Sequence, residues 1–161
     1  MGKRINIIEH PLDCILSHPS SVPVLRALKD SKEGMSGRAV AREAGINHQT
    51  CALAIIRLEA LGVLRRRGSG KTQLISLNTA NFIVRDLLLP LFRGEQELAA
   101  RIREDIRNGI TGCAQCATLF GSVARREAAP GSDVDLLLLT SPKAKAGLTA
   151  SVDEFSRDFI L

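Results

Sequence analysis

The chain has 161 residues, 45% of them apolar and 24% charged, with a formal net charge of +5. No apolar run reaches the roughly 18 residues of a membrane span, and the composition is that of a globular chain with a packed core. The charge is uneven: residues 1–80 hold 12 Lys and Arg against 6 Asp and Glu, and residues 81–161 hold 10 against 11, as in a basic module suited to an anionic polymer joined to a near-neutral one.

The first residues, MGKRINIIEHPLD, have neither the apolar core nor the cleavage-like site of a signal peptide, so a cytoplasmic location is expected, with no membrane association and with Cys14, Cys51, Cys113 and Cys116 as reduced thiols. Cys113 and Cys116 have C-x-x-C spacing, but no second pair or histidine stands near them. They read as small apolar fillers beside a strand rather than as a zinc or redox site.

From Ser21, Val24, Leu25 and Leu28 recur at helical spacing, with Ser20 or Ser21 as the cap and Gly34 as the end. Ser36 opens a second helix, with Val40 and Ala44 inward, that stops at Gly45. Asn47 caps a third, with Cys51, Ala54, Ile55, Leu58 and Leu61 as its inward stripe and Gly62 as its stop. Two short helices around a glycine-containing turn form the DNA-reading unit of helix-turn-helix proteins. The second of the pair enters the major groove by its N-terminal end, so His48, Gln49 and Thr50 are the candidate base readers, with Arg57 further along toward phosphate. Val63 to Asn78 reads as two strands around a glycine-rich tip crowded by Arg65, Arg66, Arg67 and Lys71, charges that suit a phosphate backbone. GSGKT, from Gly68 to Thr72, is not a phosphate-binding P-loop, because Arg65 stands at its first glycine and a strand follows it.

Residues 21–78 resemble the winged helix-turn-helix domains of bacterial and archaeal transcriptional regulators, on AVAREAGINHQTCALAIIRLEALGVL and the wing RRRGSGKTQL. The resemblance implies binding of double-stranded DNA; a module that only mediates protein contact is the alternative.

Residues 79–109 read as helical, capped at Asn81, with a kink or break at Pro90 to Gly94. Leu98, Ile102 and Ile106 recur beyond it, and Leu87, Leu88, Leu89 and Phe92 either pack on the first module or form a dimer seam. A homodimer is expected, because winged regulators match paired half-sites.

In the second half, Cys116 to Phe120 reads as a strand, Gly121-Ser122 as its end and the start of a helix capped by Ser122, and Ala129 to Ser132 as a turn. Asp133 to Leu139 reads as a second strand, whose leucine end has the look of an inner strand buried on both faces. On a strand Asp133 and Asp135 point to one side, and two carboxylates so close invite a divalent cation, for which Mg²⁺ is suited.

Gly121-Ser122, ten residues, then Asp133-Val134-Asp135 resembles the G-S-x10-D-x-D signature of the nucleotidyltransferase superfamily, closest to its minimal prokaryotic members. Ser132 and Arg125 match positions of that motif, and Arg126 replaces a usual glycine. The resemblance spans about residues 95–140 and implies metal-dependent nucleotidyl transfer. Asp133 and Asp135 would hold Mg²⁺; Gly121, Ser122 and Arg125 would bind a nucleoside triphosphate. Some members of the family are antitoxins that adenylylate a toxin, so a partner protein is one acceptor. The family's third carboxylate, on a later strand, has no clear counterpart: Asp153, Glu154 and Asp158 lie in a helical pattern. Either the domain is cut short or it binds nucleotide without turnover.

The expected fold class is therefore α+β: a winged helix-turn-helix domain over 1–80, a helical connector over 81–110 and an incomplete nucleotidyltransferase-like α/β domain over 111–161. The function these resemblances imply is that of a DNA-binding regulator that transfers a nucleotidyl group from a nucleoside triphosphate to an unknown acceptor. The alternative is a pure transcriptional regulator with a catalytically inactive nucleotide-binding or dimerisation domain.

Overall fold

The computed structural model describes residues 7–68, 73–110, 114–125, 127–129 and 131–141. The chain is of mixed α+β class and divides into two compact units, Met1–Gln96 and Glu97–Leu161. No helix among the described residues is long and apolar enough to cross a membrane.

In the first unit a short helix α1, Pro11–Ile15, precedes α2, Ser21–Leu28, α3, Gly37–Glu43, and α4, His48–Ala60. The apolar positions that recur at helical spacing supply its core: Val24, Leu25 and Leu28 from α2, Val40 and Ala41 from α3, and Cys51, Ala54, Ile55 and Leu58 from α4 are buried together. Burial pushes the Cys51 thiol above its ordinary pKa, so it fills space as an unreactive apolar group. The Ser36 hydroxyl caps α3 by accepting from the Ala39 N–H at 3.3 Å, and the Asn47 side-chain oxygen caps α4 by accepting from the Thr50 N–H at 2.8 Å. Ser20 stands at the cap position of α2 but makes no capping bond; its hydroxyl accepts from Arg57 instead.

The strands β1, Leu64–Arg67, and β2, Leu74–Leu77, pair antiparallel, Leu64 opposite Leu77 and Arg67 opposite Leu74. Met35 adds a bridge to Ile75, their backbones exchanging bonds of 2.9 and 2.8 Å. This contact explains Gly34, which was expected to end α2. The helix already stops at Leu28, and Gly34, at φ +91°, passes so near β2 that an added Cβ would stand 2.8 Å from the Ile75 carbonyl oxygen.

The helical segment after β2 has no break at Pro90 to Gly94. A π-helical turn, Val84–Leu88, leads directly into α5, which runs unbroken over Leu89–Ile110. The Leu89 N–H bonds to the Val84 carbonyl, five residues back. That wider turn makes room ahead of Pro90, whose ring would crowd the carbonyl four residues earlier and whose missing N–H leaves a gap in the ladder. Val84, Leu88 and Phe92 complete the core of the first unit, so Leu88 and Phe92 are not available to a dimer seam.

Arg26 on α2 donates to both carboxylate oxygens of Glu95 on α5, at 2.8 and 2.5 Å. Hydrogen bonding to Arg26 holds the Glu95 carboxyl below the usual carboxylate pKa. A depressed folded-state pKa means that the pair's contribution is present above the ordinary Glu range and is lost as pH falls through the lower, folded value. Both side chains are 45% exposed, so screening limits the contribution to about 0.5 kcal/mol. Glu95→Gln is expected to lower Tm by a few degrees at neutral pH and to converge with the wild type in acid, as thermal melts across pH would record.

In the second unit β3, Cys116–Phe120, is followed by a short helix α6, Gly121–Arg125, and by β4, Asp135–Leu139. The strands pair antiparallel, Cys116 opposite Leu139 and Phe120 opposite Asp135. Two expectations change here. The leucine run is not buried on both faces: Leu137 and Leu139 are 64% and 62% exposed, because β4 pairs only with β3 among the described residues and the face carrying them is open. Cys116 lies on that same face and is exposed, not a packed filler; Cys113 is outside the described residues.

Candidate functional site

β3 ends at Phe120, and Gly121, at φ +73°, turns the chain into α6. A left-handed conformation favours glycine on backbone grounds alone. A second constraint is stronger. Asp135, the first residue of β4, lies opposite Phe120, and its carboxylate rests over the Gly121 Cα. A Cβ at Gly121 would stand 2.0 Å from the Asp135 Oδ2 and 2.9 Å from its Cγ, where no atom can sit. The glycine-serine corner and the acidic residue thus meet through the register of the β3–β4 pair, although 14 positions separate them in the chain.

Ser122 lies within α6, not at its cap, and is half-buried. Its carbonyl accepts from the Glu127 N–H at 2.9 Å. Arg125 donates to the Glu127 carboxylate at 2.7 Å, and both side chains are about two-thirds exposed. That pair engages only the Nε of Arg125, so its Nη donors remain open to a phosphate among the described residues. Sequence reasoning missed Glu127, although its place two residues after an arginine was a visible signal.

Asp133 is exposed and lies ahead of β4, so strand alternation does not by itself aim it with Asp135. The preceding turn is closed twice: the Ser132 N–H donates to the Ala129 carbonyl at 2.9 Å, and the Ala129 N–H donates to the Ser132 hydroxyl at 2.9 Å. Ser132 therefore fixes the approach of the chain to Asp133. Neither the Asp133 nor the Asp135 carboxylate has an ion pair or hydrogen bond among the described residues. Two free carboxylates are a donor set that suits a hard divalent cation completed by phosphate oxygens and water. No group of three or more His, Cys, Asp or Glu is gathered as a metal site among the described residues. Asp153, Glu154 and Asp158 lie outside them.

The basic residues of the first unit are placed unequally. His48 and Gln49 are exposed at the start of α4, and Thr50 is half-buried, its N–H held by Asn47. Further along the same exposed side stand Leu53 and Ile56, so only the first turn of α4 presents polar groups. Arg57 is not presented with them: it is half-buried, and its Nη2 donates to the Ser20 hydroxyl at 2.9 Å. Its Nε is buried without a partner among the described residues. Arg66 is bound to Glu59 at 2.9 Å and to Gln73 at 2.8 Å. Arg65 reaches the Ser76 hydroxyl at 3.2 Å, which leaves its charge uncompensated. Arg67 is exposed and has no ion pair among the described residues. Lys71 lies outside the described residues.

No curated protein and no solved structure matches the chain. The family described as nucleotidyltransferase domain matches residues 115–159, a stretch that contains β3, the Gly121-Ser122 corner, Asp133 and β4. The second unit accordingly carries a nucleotidyltransferase-like domain.

Proposed function

We propose that the chain is a DNA-binding regulator whose second unit binds a nucleoside triphosphate with Mg²⁺ and transfers its nucleotidyl group to an acceptor. The observation that carries the nucleotide reading is the Asp135 carboxylate seated over Gly121. A bare backbone beside a carboxylate unpaired among the described residues lets a phosphate and a cation approach one point together. Asp133 and Asp135 would hold the ion, Ser122 and the backbone around Gly121 would take the β- and γ-phosphates, and Arg125 would offer its Nη donors to the phosphate charge. The ion supplies charge neutralisation on the triphosphate. An acceptor oxygen forms a bond to the α-phosphorus, the bond to the bridging oxygen breaks, and pyrophosphate leaves. A partner protein fits the role of acceptor.

The DNA reading is supported by the charge of the first eighty residues, by the short α3–turn–α4 pair and by the hairpin that follows it, the parts of a winged helix-turn-helix domain. His48, Gln49 and Thr50 face base edges, Leu53 and Ile56 suit thymine methyl groups, and Arg65 and Arg67 take phosphates. Arg57, tied to Ser20, serves packing within the unit. Paired half-sites call for a homodimer.

A second reading, nucleotide binding without turnover, is favoured by Asp133, which lies ahead of β4, where strand alternation does not aim it with Asp135. Release of pyrophosphate from a triphosphate in the presence of Mg²⁺ and a candidate acceptor separates the two. Turnover supports transfer; Mg²⁺-dependent binding without release supports the second.

A further inference from the structure

A cleft of about 260 Å³ opens between α1, the start of α2 and the last turn of α4, wholly inside the first unit. Ile15, Leu58 and Leu61 give it an apolar wall, and among the described residues no aspartate or glutamate lines it. Its polar groups are short of a negative partner in three separate ways.

The first is Arg57. It is half-buried, its Nη2 donates to the Ser20 hydroxyl at 2.9 Å, and its Nε is enclosed without a partner among the described residues. No carboxylate among them pairs with the guanidinium, although a cation withdrawn from water is ordinarily paired. Packing accounts for the bond to Ser20 and not for that unmatched charge. The second is Ser21, which lines the cleft and is 2% exposed, with no hydrogen bond to its hydroxyl among the described residues. A hydroxyl so buried is ordinarily satisfied. The third is the N-terminus of α2. Ser20 gives it no capping bond, and no acidic residue stands in its first turn, so the positive end of the helix is unmet. The carbonyls of the last turn of α4, which would repel an anion, are occupied: those of Arg57, Leu58 and Glu59 accept from the N–H groups of Leu61, Val63 and Gly62 at 3.1, 3.0 and 2.9 Å.

We propose that this cleft binds a small organic monocarboxylate. The carboxylate lies between the Arg57 guanidinium and the Ser21 hydroxyl at the start of α2, and the apolar body lies along Ile15, Leu58 and Leu61. Nη1 of Arg57 has no bond among the described residues and is the donor an incoming oxygen meets; a planar guanidinium matches the two oxygens of a carboxylate. One cation beside a hydrocarbon wall suits a singly charged ligand with an apolar end better than a phosphate dianion. The volume falls below the roughly 300–1,000 Å³ of most ligand pockets, so the body is small. The site depends on neither the DNA reading nor the nucleotide reading.

Hexanoate is the probe, with hexanamide as its uncharged counterpart and acetate as the acid without an apolar body. Each is titrated into the full chain and followed by amide shifts in ¹⁵N-correlated NMR spectra. Hexanoate is expected to bind with a Kd of about 1–10 mM, as a ligand of few atoms does, and to move the amides of Ser21, Arg57 and Leu61. Hexanamide and acetate are each expected to bind at least about tenfold more weakly. Arg57→Gln is expected to lose about tenfold for hexanoate and to bind acid and amide alike, and Ser21→Ala to lose about threefold. Equal binding of hexanoate and either comparison compound, shifts centred elsewhere, or no binding at all would overturn the site. A folded Arg57→Gln protein that binds hexanoate as the wild type does would overturn it as well. The comparison of acid with amide uses the wild type alone, so it decides the matter even if Arg57→Gln does not fold.

Discussion

Gly121→Ala is expected to lower Mg²⁺-dependent triphosphate binding or transfer by about 100-fold or more, while the chain still folds. The size follows from geometry. The new methyl would lie 2.0 Å from the Asp135 Oδ2, so either the carboxylate swings off its position or the corner opens. Displacing a charged ligand by about 1 Å from its productive place costs on the order of 100-fold. The backbone adds a smaller effect on stability, about 1–2 kcal/mol for a non-glycine residue at φ +73°. Asp135→Asn provides the comparison. It keeps the shape and removes the charge, so it is expected to match the functional loss with little change in Tm. Isothermal titration with Mg²⁺ and a triphosphate, beside thermal melts of both variants, separates a lost ligand from a lost fold. A Gly121→Ala protein that binds as the wild type does would show that Asp135 takes no part.

Arg65→Ala with Arg67→Ala is expected to weaken binding to a DNA duplex by roughly tenfold and to reduce the slope of log affinity against log salt by about 2. These two arginines carry charge that no acidic residue balances among the described residues. Arg66→Ala is the control that the sequence alone would not suggest. Its guanidinium is already matched by Glu59 at 2.9 Å, so its removal is expected to leave the salt slope nearly unchanged. Fluorescence anisotropy with a labelled duplex at several salt concentrations measures all three. An equal slope for the double variant and the wild type would take the hairpin out of the interface.

The helical core was legible because local rules wrote it. Val24, Leu25 and Leu28, and then Cys51, Ala54, Ile55 and Leu58, recur at the helical period and are buried together. The caps at Ser36 and Asn47 were legible for the same reason, since each bond closes over three residues. Contacts distant in sequence were not. Arg57 finds Ser20 across 37 positions, and Gly34 answers to a β2 carbonyl about forty positions on. A proline suggested a kink; the chain absorbs it in a π turn, a choice that side-chain periodicity does not encode. At the candidate site the spacing from Gly121 to Asp135 was legible as a motif. The physical reason for it, a carboxylate lying on a bare Cα, needed the register of two strands. The leucine run of β4 misled because four apolar residues in a row read as a doubly covered strand, while two of them face outward.

Calorimetric titration of the full chain with a nucleoside triphosphate, with Mg²⁺ and again with a chelator, bears most directly on the claim that Gly121, Ser122, Asp133 and Asp135 form one binding site. Saturable binding of one triphosphate per chain, lost on chelation and lost in Asp135→Asn, is the result the account predicts. No binding with Mg²⁺ present, or binding that ignores both the chelator and the Asp135 substitution, would contradict it.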